Sequence, residues 1–136
     1  MITYSLLPKV KYPLATKFYK NHGIKSRVSS DNIVVIAREN NVIIGVAKLA
    51  PINDLWFLTG VYIDLEQRGQ GIGSELITQL CQQKTTIYTF PYAHLTALYQ
   101  KLGFLNATSD LLPYELTQRF DAYTKQGRNI VAMIKQ

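Results

Sequence analysis

Gln67-Arg68-Gly69-Gln70-Gly71-Ile72-Gly73-Ser74 is the stretch on which the rest of the chain depends. The run before it, Leu58-Thr59-Gly60-Val61-Tyr62-Ile63, is apolar and short, and it reads as a strand. After it, Ile72, Leu76, Ile77 and Leu80 recur at helical spacing. The glycines therefore stand where a strand turns into a helix. Glycine there accepts φ > 0 and lets another group approach the backbone. The first N–H groups of a helix have no partner within it, and the helix dipole favours negative charge at that end. Strand, glycine turn and helix start together describe an anion site, with phosphate the expected ligand.

The ligand is narrowed by what the stretch lacks. It has no Lys-Ser or Lys-Thr ending, so it is not a nucleotide-triphosphate loop. The spacing of Gly69, Gly71 and Gly73 is not G-x-G-x-x-G, so the dinucleotide fingerprint fails as well. Arg68 to Gly73 in the frame R-x-x-G-x-G resembles the acetyl-CoA pyrophosphate loop of the GNAT family of N-acetyltransferases. A second stretch, Ala97-Leu98-Tyr99-Gln100-Lys101-Leu102-Gly103-Phe104, resembles that family's other signature, a helix ending in Leu-Tyr-x-Lys-x-Gly-Phe. The two occur in the family's order. The resemblance covers about Leu58 to Phe104, and beyond that window it rests on the order of elements.

The bulk of the sequence sets the frame. A chain of 136 residues, 47% hydrophobic and 18% charged, fits one folded domain over 1–136. Its single cysteine, Cys81, forms no internal disulfide and reads as a small core residue on the helix after the glycine loop. One cysteine and two distant histidines make no metal site, so no metal is expected. No basic leader precedes an apolar core at the N-terminus, and no run reaches membrane-spanning length; a cytoplasmic address and no membrane partner are expected. The net charge of +6 suits either nucleic acid or a polyanionic cofactor. The basic residues are scattered, densest from Lys9 to Arg27, which favours the cofactor and argues against nucleic acid.

Local signals predict the remaining elements. Ile2 to Leu7 reads as a strand ended by Pro8, and Lys9 to His22 as a helix, with Val10, Leu14, Phe18 and Tyr19 at helical spacing and Pro13 in its first turn. Ile24 to Asn32 reads as a loop. Ile33 to Arg38 and Val42 to Leu49 are strands joined by an Asn40-Asn41 hairpin turn, and Pro51 to Asp54 is a second turn. Leu55 to Ile63 is the next strand, where Gly60 predicts a bulge or a close backbone approach. Helices are predicted over Gly71 to Gln83, Ala93 to Leu102 (with Leu95, Leu98 and Leu102 buried) and Pro113 to Lys125 (with Leu116, Phe120 and Tyr123 on one face). Strands are predicted over Thr85 to Phe90 and Arg128 to Lys135, with Leu105 to Asp110 a strand or loop. The expected fold is α/β: a mixed, mostly antiparallel sheet of six to seven strands and about four helices, in the order β-α-β-β-β-α-β-α-β-α-β.

The resemblance implies a function and a site. It implies an acetyl-CoA-dependent N-acetyltransferase that transfers directly to a small-molecule or peptide amine in a ternary complex, as monomer or homodimer. The cofactor would lie on Arg68, Gly69, Gln70, Gly71, Gly73 and Ser74, with the loop's backbone amides carrying more of the contact than the Arg68 side chain. The bulge at Gly60 would splay the strand so that Val61 and Ile63 offer their amides to the pantetheine arm. Tyr99, at the tyrosine of the second signature, would give the departing thiolate its proton; its plainer role is a core aromatic. Lys101 is either a phosphate contact or a solvated lysine.

The general base is not legible. Some family members carry a glutamate in the strand before the loop, but Trp56 to Ile63 contains no carboxylate. Asp54, Asp64, Glu66 and His94 are the nearest candidates, and a water chain is an equal one. Leu65 stands where the family often has Pro, and Tyr92 near where it often has Asn. The Leu65 departure is minor; the missing strand carboxylate and the absent Asn keep open an acetyl-CoA-binding regulatory module acting on a protein partner. A cationic acceptor could meet Glu115 or Asp121, and protein N-termini, lysines, polyamines, aminoglycosides and amino acids all stay open as acceptors.

Overall fold

The computed structural model describes residues 1–108 and 110–136. The elements are β1 (Ile2–Leu6), α1 (Tyr12–Asn21), β2 (Ile33–Glu39), β3 (Val42–Ile52), β4 (Leu55–Ile63), α2 (Ile72–Cys81), β5 (Ile87–Thr89), α3 (Thr96–Lys101), β6 (Leu105–Asn106), α4 (Tyr114–Lys125) and β7 (Met133–Lys135). They form one seven-stranded sheet in the order β1-β2-β3-β4-β5-β7-β6, in which only β4 and β5 run parallel. The α/β class, the strand count and the element order are those expected.

Strand alternation divides the core between the two faces. On β2, Val34 and Ile36 turn toward Ala15, Phe18 and Tyr19 of α1, while Val35 and Ala37 turn toward Leu76, Ile77 and Leu80 of α2. Along β4, Leu58 joins the α2 face and Phe57 meets Leu116 of α4 on the other. Both faces are covered, so the central strands read as continuous apolar runs although most pairs are antiparallel. The hairpin between β2 and β3 turns on Asn40 (φ 53°) and Asn41 (φ 65°), the left-handed pair this turn requires.

Several local expectations are corrected. Val10 and Leu14 are 84% and 43% exposed, and the buried face of α1 is Tyr12, Ala15, Phe18 and Tyr19. Pro13 explains the shift: a short 3₁₀ turn over Lys9–Lys11 precedes the helix, and the α-helical phase begins only at Tyr12. Pro51 and Ile52 belong to β3, paired with Trp56 and Leu55, so the turn shrinks to Asn53-Asp54 with Asn53 at φ 54°. Helix α3 is shorter than expected, and its buried residue is Tyr99; Leu98 is 38% exposed, and Leu95 and Leu102 are half-buried. Cys81 is half-buried against the core rather than enclosed. Strands β5 and β7 are three residues each, shorter than the apolar runs that contain them.

Candidate active site

The site begins where two parallel strands part. β4 and β5 pair only at Phe57–Tyr88 and Leu58–Thr89, and the Thr89 hydroxyl donates to the Leu58 carbonyl at 2.9 Å across the last rung. One residue later β4 bulges. Val46 pairs with Tyr62 and Lys48 with Thr59, so β4 carries one residue more than β3 between those rungs. Gly60 takes φ 67° there, and its carbonyl accepts a 2.6 Å hydrogen bond from the Tyr19 hydroxyl. A side chain at Gly60 would place its Cβ 2.6 Å from that hydroxyl oxygen and 3.1 Å from both Ser26 Oγ and Lys48 Cε. The bulge is thus locked by α1, the following loop and β3.

Beyond the bulge the backbone of β4 faces open space on one side. The Asp64 N–H donates to the Ile44 carbonyl of β3 at 2.8 Å. Backbone groups alternate sides along a strand, so the amides of Val61 and Ile63 point away from β3, toward the gap left by β5. The gap is a cleft of about 480 Å³. Its walls are β4 from Phe57 to Val61, Gly73 and Ile77 of α2, Leu98 and Tyr99 of α3, Thr89 at the end of β5, and Phe90 to Tyr92 after it. Lys25 and Ser26 close it on the α1 side, Tyr123 and Arg128 at the end of α4.

The glycine loop carries the β4 edge on to the start of α2. Gly69 (φ 86°) and Gly71 (φ 77°) are both left-handed, and a Cβ at either would meet nothing within 4 Å. The glycines therefore serve the backbone turn and leave the space beside it open. No side chain caps α2, so its first N–H groups remain available. Glu75, the one acid in that turn, receives a 3.0 Å hydrogen bond from Gln79 Nε2 along the helix. The loop side chains bond among themselves: Gln70 Nε2 donates to Gln67 Oε1 at 3.0 Å, and Arg68 Nε to the Ile63 carbonyl at 3.2 Å, its guanidinium 5.1 Å from the Tyr62 ring centre. Arg68 shapes the loop and Gln70 braces it, and no side chain among the described residues caps the amides at the start of α2. These features fit a long polyanionic cofactor whose phosphates meet the helix start and whose arm enters the cleft.

Of the expected site residues, Val61, Gly73 and Tyr99 line the cleft itself. Ile63, Arg68, Gly69, Gln70, Gly71 and Ser74 form the continuous rim leading from β4 into α2. The Tyr99 ring packs edge-on to Phe104 at 5.6 Å, 6% of the residue is exposed, and among the described residues its hydroxyl has no hydrogen-bond partner. No buried side-chain oxygen among those residues lacks a partner, so the Tyr99 hydroxyl is open to the cleft. Burial, with the neighbouring Cys81 as a smaller cause, pushes its pKa up to about 12.

The candidate bases lie elsewhere. Asp54 sits at the β3–β4 turn beside Trp56 and Lys84, Asp64 accepts the Glu66 N–H at 3.2 Å, and His94 stacks on Tyr92 from outside. Glu115 and Asp121 border separate depressions on α4. Cys81 lies at the far end of α2 beside Lys135, and burial raises its pKa, so it is not an activated nucleophile. Among the described residues no three His, Cys, Asp or Glu side chains converge as metal ligands, and no helix is long and apolar enough to cross a membrane.

Sequence reasoning missed the lock around Gly60. Lys48 is 5% exposed, and its ammonium group donates to the Arg27 carbonyl and lies 5.7 Å from the Tyr19 ring centre. Burial pulls its pKa below the usual lysine range. A lysine inside the apolar run Val46–Ala50 was the available signal. Tyr19 and Ser26 gave none, because the Tyr19 hydroxyl meets a carbonyl far along the chain and Ser26 meets the Tyr19 hydroxyl only once the chain has folded.

A family model described as an acetyltransferase (GNAT) domain matches residues 30–105, just over half of the chain. No curated protein sequence matches it. Among solved structures, Escherichia coli ElaA is similar at 17% identity with a TM-score of 0.69, the match covering 100% of both chains. The ribosomal-protein-S18-alanine N-acetyltransferase from Escherichia coli is similar at 20% identity and TM-score 0.64, covering 98% of this chain and 91% of that one. N-acetylglutamate synthase from Neisseria gonorrhoeae, complexed with coenzyme A and N-acetyl-glutamate, matches at 15% identity and TM-score 0.67. That match covers 99% of this chain and 35% of the synthase, so the chain spans about a third of that protein. At these identities the likeness is one of fold.

Proposed function

The chain belongs to the GNAT family of acetyltransferases, and from that premise we propose that it moves an acetyl group from acetyl-CoA to a primary amine by direct transfer, both substrates held at once in the cleft. The observation that carries this reading is the parting of β4 from β5 at the Gly60 bulge, which opens a cleft running from α2 to α4 with Val61 in its wall and Ile63 on the rim beyond it. Coenzyme A in the Neisseria gonorrhoeae synthase, a protein of the same fold, supports it. Acetyl-CoA, when bound, supplies the activated thioester.

The chain's own residues divide the remaining work. The amides of Gly71, Gly73 and Ser74 at the start of α2 hold the pyrophosphate, and Gly69 and Gly71 keep side chains out of its way. The Val61 and Ile63 amides hold the arm as a neighbouring strand would, and they are placed to steady negative charge on a carbonyl oxygen. Thr59, Ser26 and the aromatic end of the cleft set the amine in line. Most of the acceleration comes from this positioning.

Tyr99 lines the cleft and would face the leaving sulfur of a bound thioester. Its hydroxyl is protonated at neutral pH as any tyrosine's is, and burial pushes its pKa further up, to about 12. An ordinary thiol has a pKa of about 8.5. Tyr99 therefore stabilises the departing thiolate by donating a hydrogen bond or relaying a proton, and the proton that ends on sulfur is the one the amine loses. No carboxylate or imidazole lines the cleft among the described residues, so that proton leaves the amine through water.

A thiol-release assay over a panel of primary amines tests the reading. Wild type is expected to release thiol with at least one amine. Tyr99→Phe should lower kcat by about 10²- to 10⁴-fold while acetyl-CoA affinity stays within about twofold. Thiol release by Tyr99→Phe at the wild-type rate would remove Tyr99 from the reaction. Tight acetyl-CoA binding with no turnover of any amine would replace the enzyme by an acetyl-CoA-binding module acting on a protein partner.

A further inference from the structure

The two ends of the cleft differ in chemistry. The α2 end presents backbone amides and small residues. The α4 end is aromatic: Phe57 meets Phe90 edge-on at 4.8 Å, and Phe90 meets Tyr123 at 6.3 Å. Phe57 lies before the Gly60 bulge on β4, whereas the glycine loop and the start of α2 follow β4 beyond that bulge. The aromatic end is therefore built from other segments than the helix start.

Ionised side chains sort the same way. Among the described residues lining the cleft, the charged ones are Lys25 and Arg128, and both are cationic. The Arg128 guanidinium lies 4.4 Å from the Tyr123 ring centre, so its planar fork is held by stacking at the aromatic end. Lys25 lines the α1 side of the same cleft, next in sequence to Ser26, whose Oγ approaches the Gly60 bulge. The acids that a cationic acceptor would seek, Glu115 and Asp121, border other depressions.

Two cations and no acid disfavour polyamines and other acceptors carrying extra positive charge. They also lower the pKa of a nearby amine, which favours the neutral form that attacks. What they recognise is an anion, and a guanidinium fork matches a carboxylate in bidentate geometry. Resting on the acetyltransferase reading, we propose that the acceptor is a small amine that also bears a carboxylate and an apolar or aromatic side chain, that is, an apolar amino acid, with the Arg128 fork holding the carboxylate, Lys25 adding positive charge from the α1 side of the cleft, and Phe57, Phe90 and Tyr123 receiving the side chain.

Matched pairs test this: phenylalanine against phenethylamine, leucine against isoamylamine, tryptophan against tryptamine, each titrated calorimetrically into the CoA-loaded protein and each assayed for thiol release from acetyl-CoA. The carboxylated member of at least one pair should bind about tenfold or more tighter than its partner. Arg128→Glu and Lys25→Glu should each abolish or reverse that order, and both residues are exposed, so folding is not at stake. Equal or tighter binding of the decarboxylated amines, or preferences unmoved in both variants, overturns the proposal. Thiol release with those amines would then leave the acetyltransferase reading standing. Carboxylate-dependent binding without any thiol release would keep the assigned pocket and remove the transfer step.

Discussion

Gly60 holds together more of this site than any other residue. Its φ of 67° re-aims β4, its carbonyl anchors Tyr19, and the absence of a side chain admits Ser26 and Lys48. Alanine there would meet the left-handed penalty, about 1–2 kcal/mol. It would also displace the Tyr19 hydroxyl and leave a part-buried carbonyl without its donor, about another 1–3 kcal/mol. Gly60→Ala is expected to lose about 2–4 kcal/mol in urea unfolding; a loss within about 0.5 kcal/mol would show that the bulge relaxes freely. Tyr99 supplies a second expectation at this scale. Its folded pKa of about 12 stands above the unfolded value near 10. The stability this confers is complete below pH 10 and is lost as pH rises toward 12, because only the unfolded chain releases the proton. Wild type should thus lose more stability than Tyr99→Phe between pH 10 and 12, and no alkaline limb below pH 10 in the rate profile should belong to Tyr99. Parallel pH–stability curves for the two proteins would contradict it. Tyr99 was legible because it sits in a sequence signature. Lys25 and Arg128 were not, because a lone cation in a loop looks like any solvated charge until folding brings it to a cleft.

At the scale of elements, the loop from Ile24 to Asn32 has no regular structure, yet it is fastened at three points. The Tyr12 hydroxyl donates to the Asn32 carbonyl at 2.6 Å, Lys48 donates to the Arg27 carbonyl, and Ser26 packs against the Tyr19–Gly60 contact. The Lys48 tether holds the cleft's Lys25–Ser26 wall against the bulge. Lys48→Met keeps the buried stem and removes the tether, so it should raise the acceptor KM several-fold and leave acetyl-CoA affinity unchanged. An unchanged acceptor KM would assign Lys48 to packing alone. Elements with strong local signals were readable in the sequence: the Asn-Asn hairpin, β4, and the core stripe of α2. Those set by tertiary partners were not. β5 and β7 stop where the sheet opens, so their apolar runs outlast their pairing. Helix α3 is six residues long, too short for periodicity to reveal that Tyr99, not Leu98, faces inward.

The whole molecule is a sheet divided at one seam. β1 to β4 form an antiparallel block between α1 and α2, and β5, β7 and β6 form a second block packed on α4. The cleft lies where β4 leaves β5, and α2 directs its uncapped start to the mouth of it. That arrangement follows from the strand, glycine turn and helix visible in Leu58 to Leu80, which is why the cofactor end was legible. The acceptor end draws on residues from the loop after α1, from β4 and from the end of α4, and no local pattern joins them.

Titration calorimetry of acetyl-CoA against wild type and Gly71→Glu tests the account most directly. Space beside Gly71 is open, so the glutamate fits at a backbone cost of about 1–2 kcal/mol and puts a negative charge where the phosphates are placed. The account predicts binding in the micromolar range by wild type, at least about tenfold weaker in a Gly71→Glu protein whose circular dichroism matches wild type. No binding by folded wild type, or equal binding by both proteins, would contradict it.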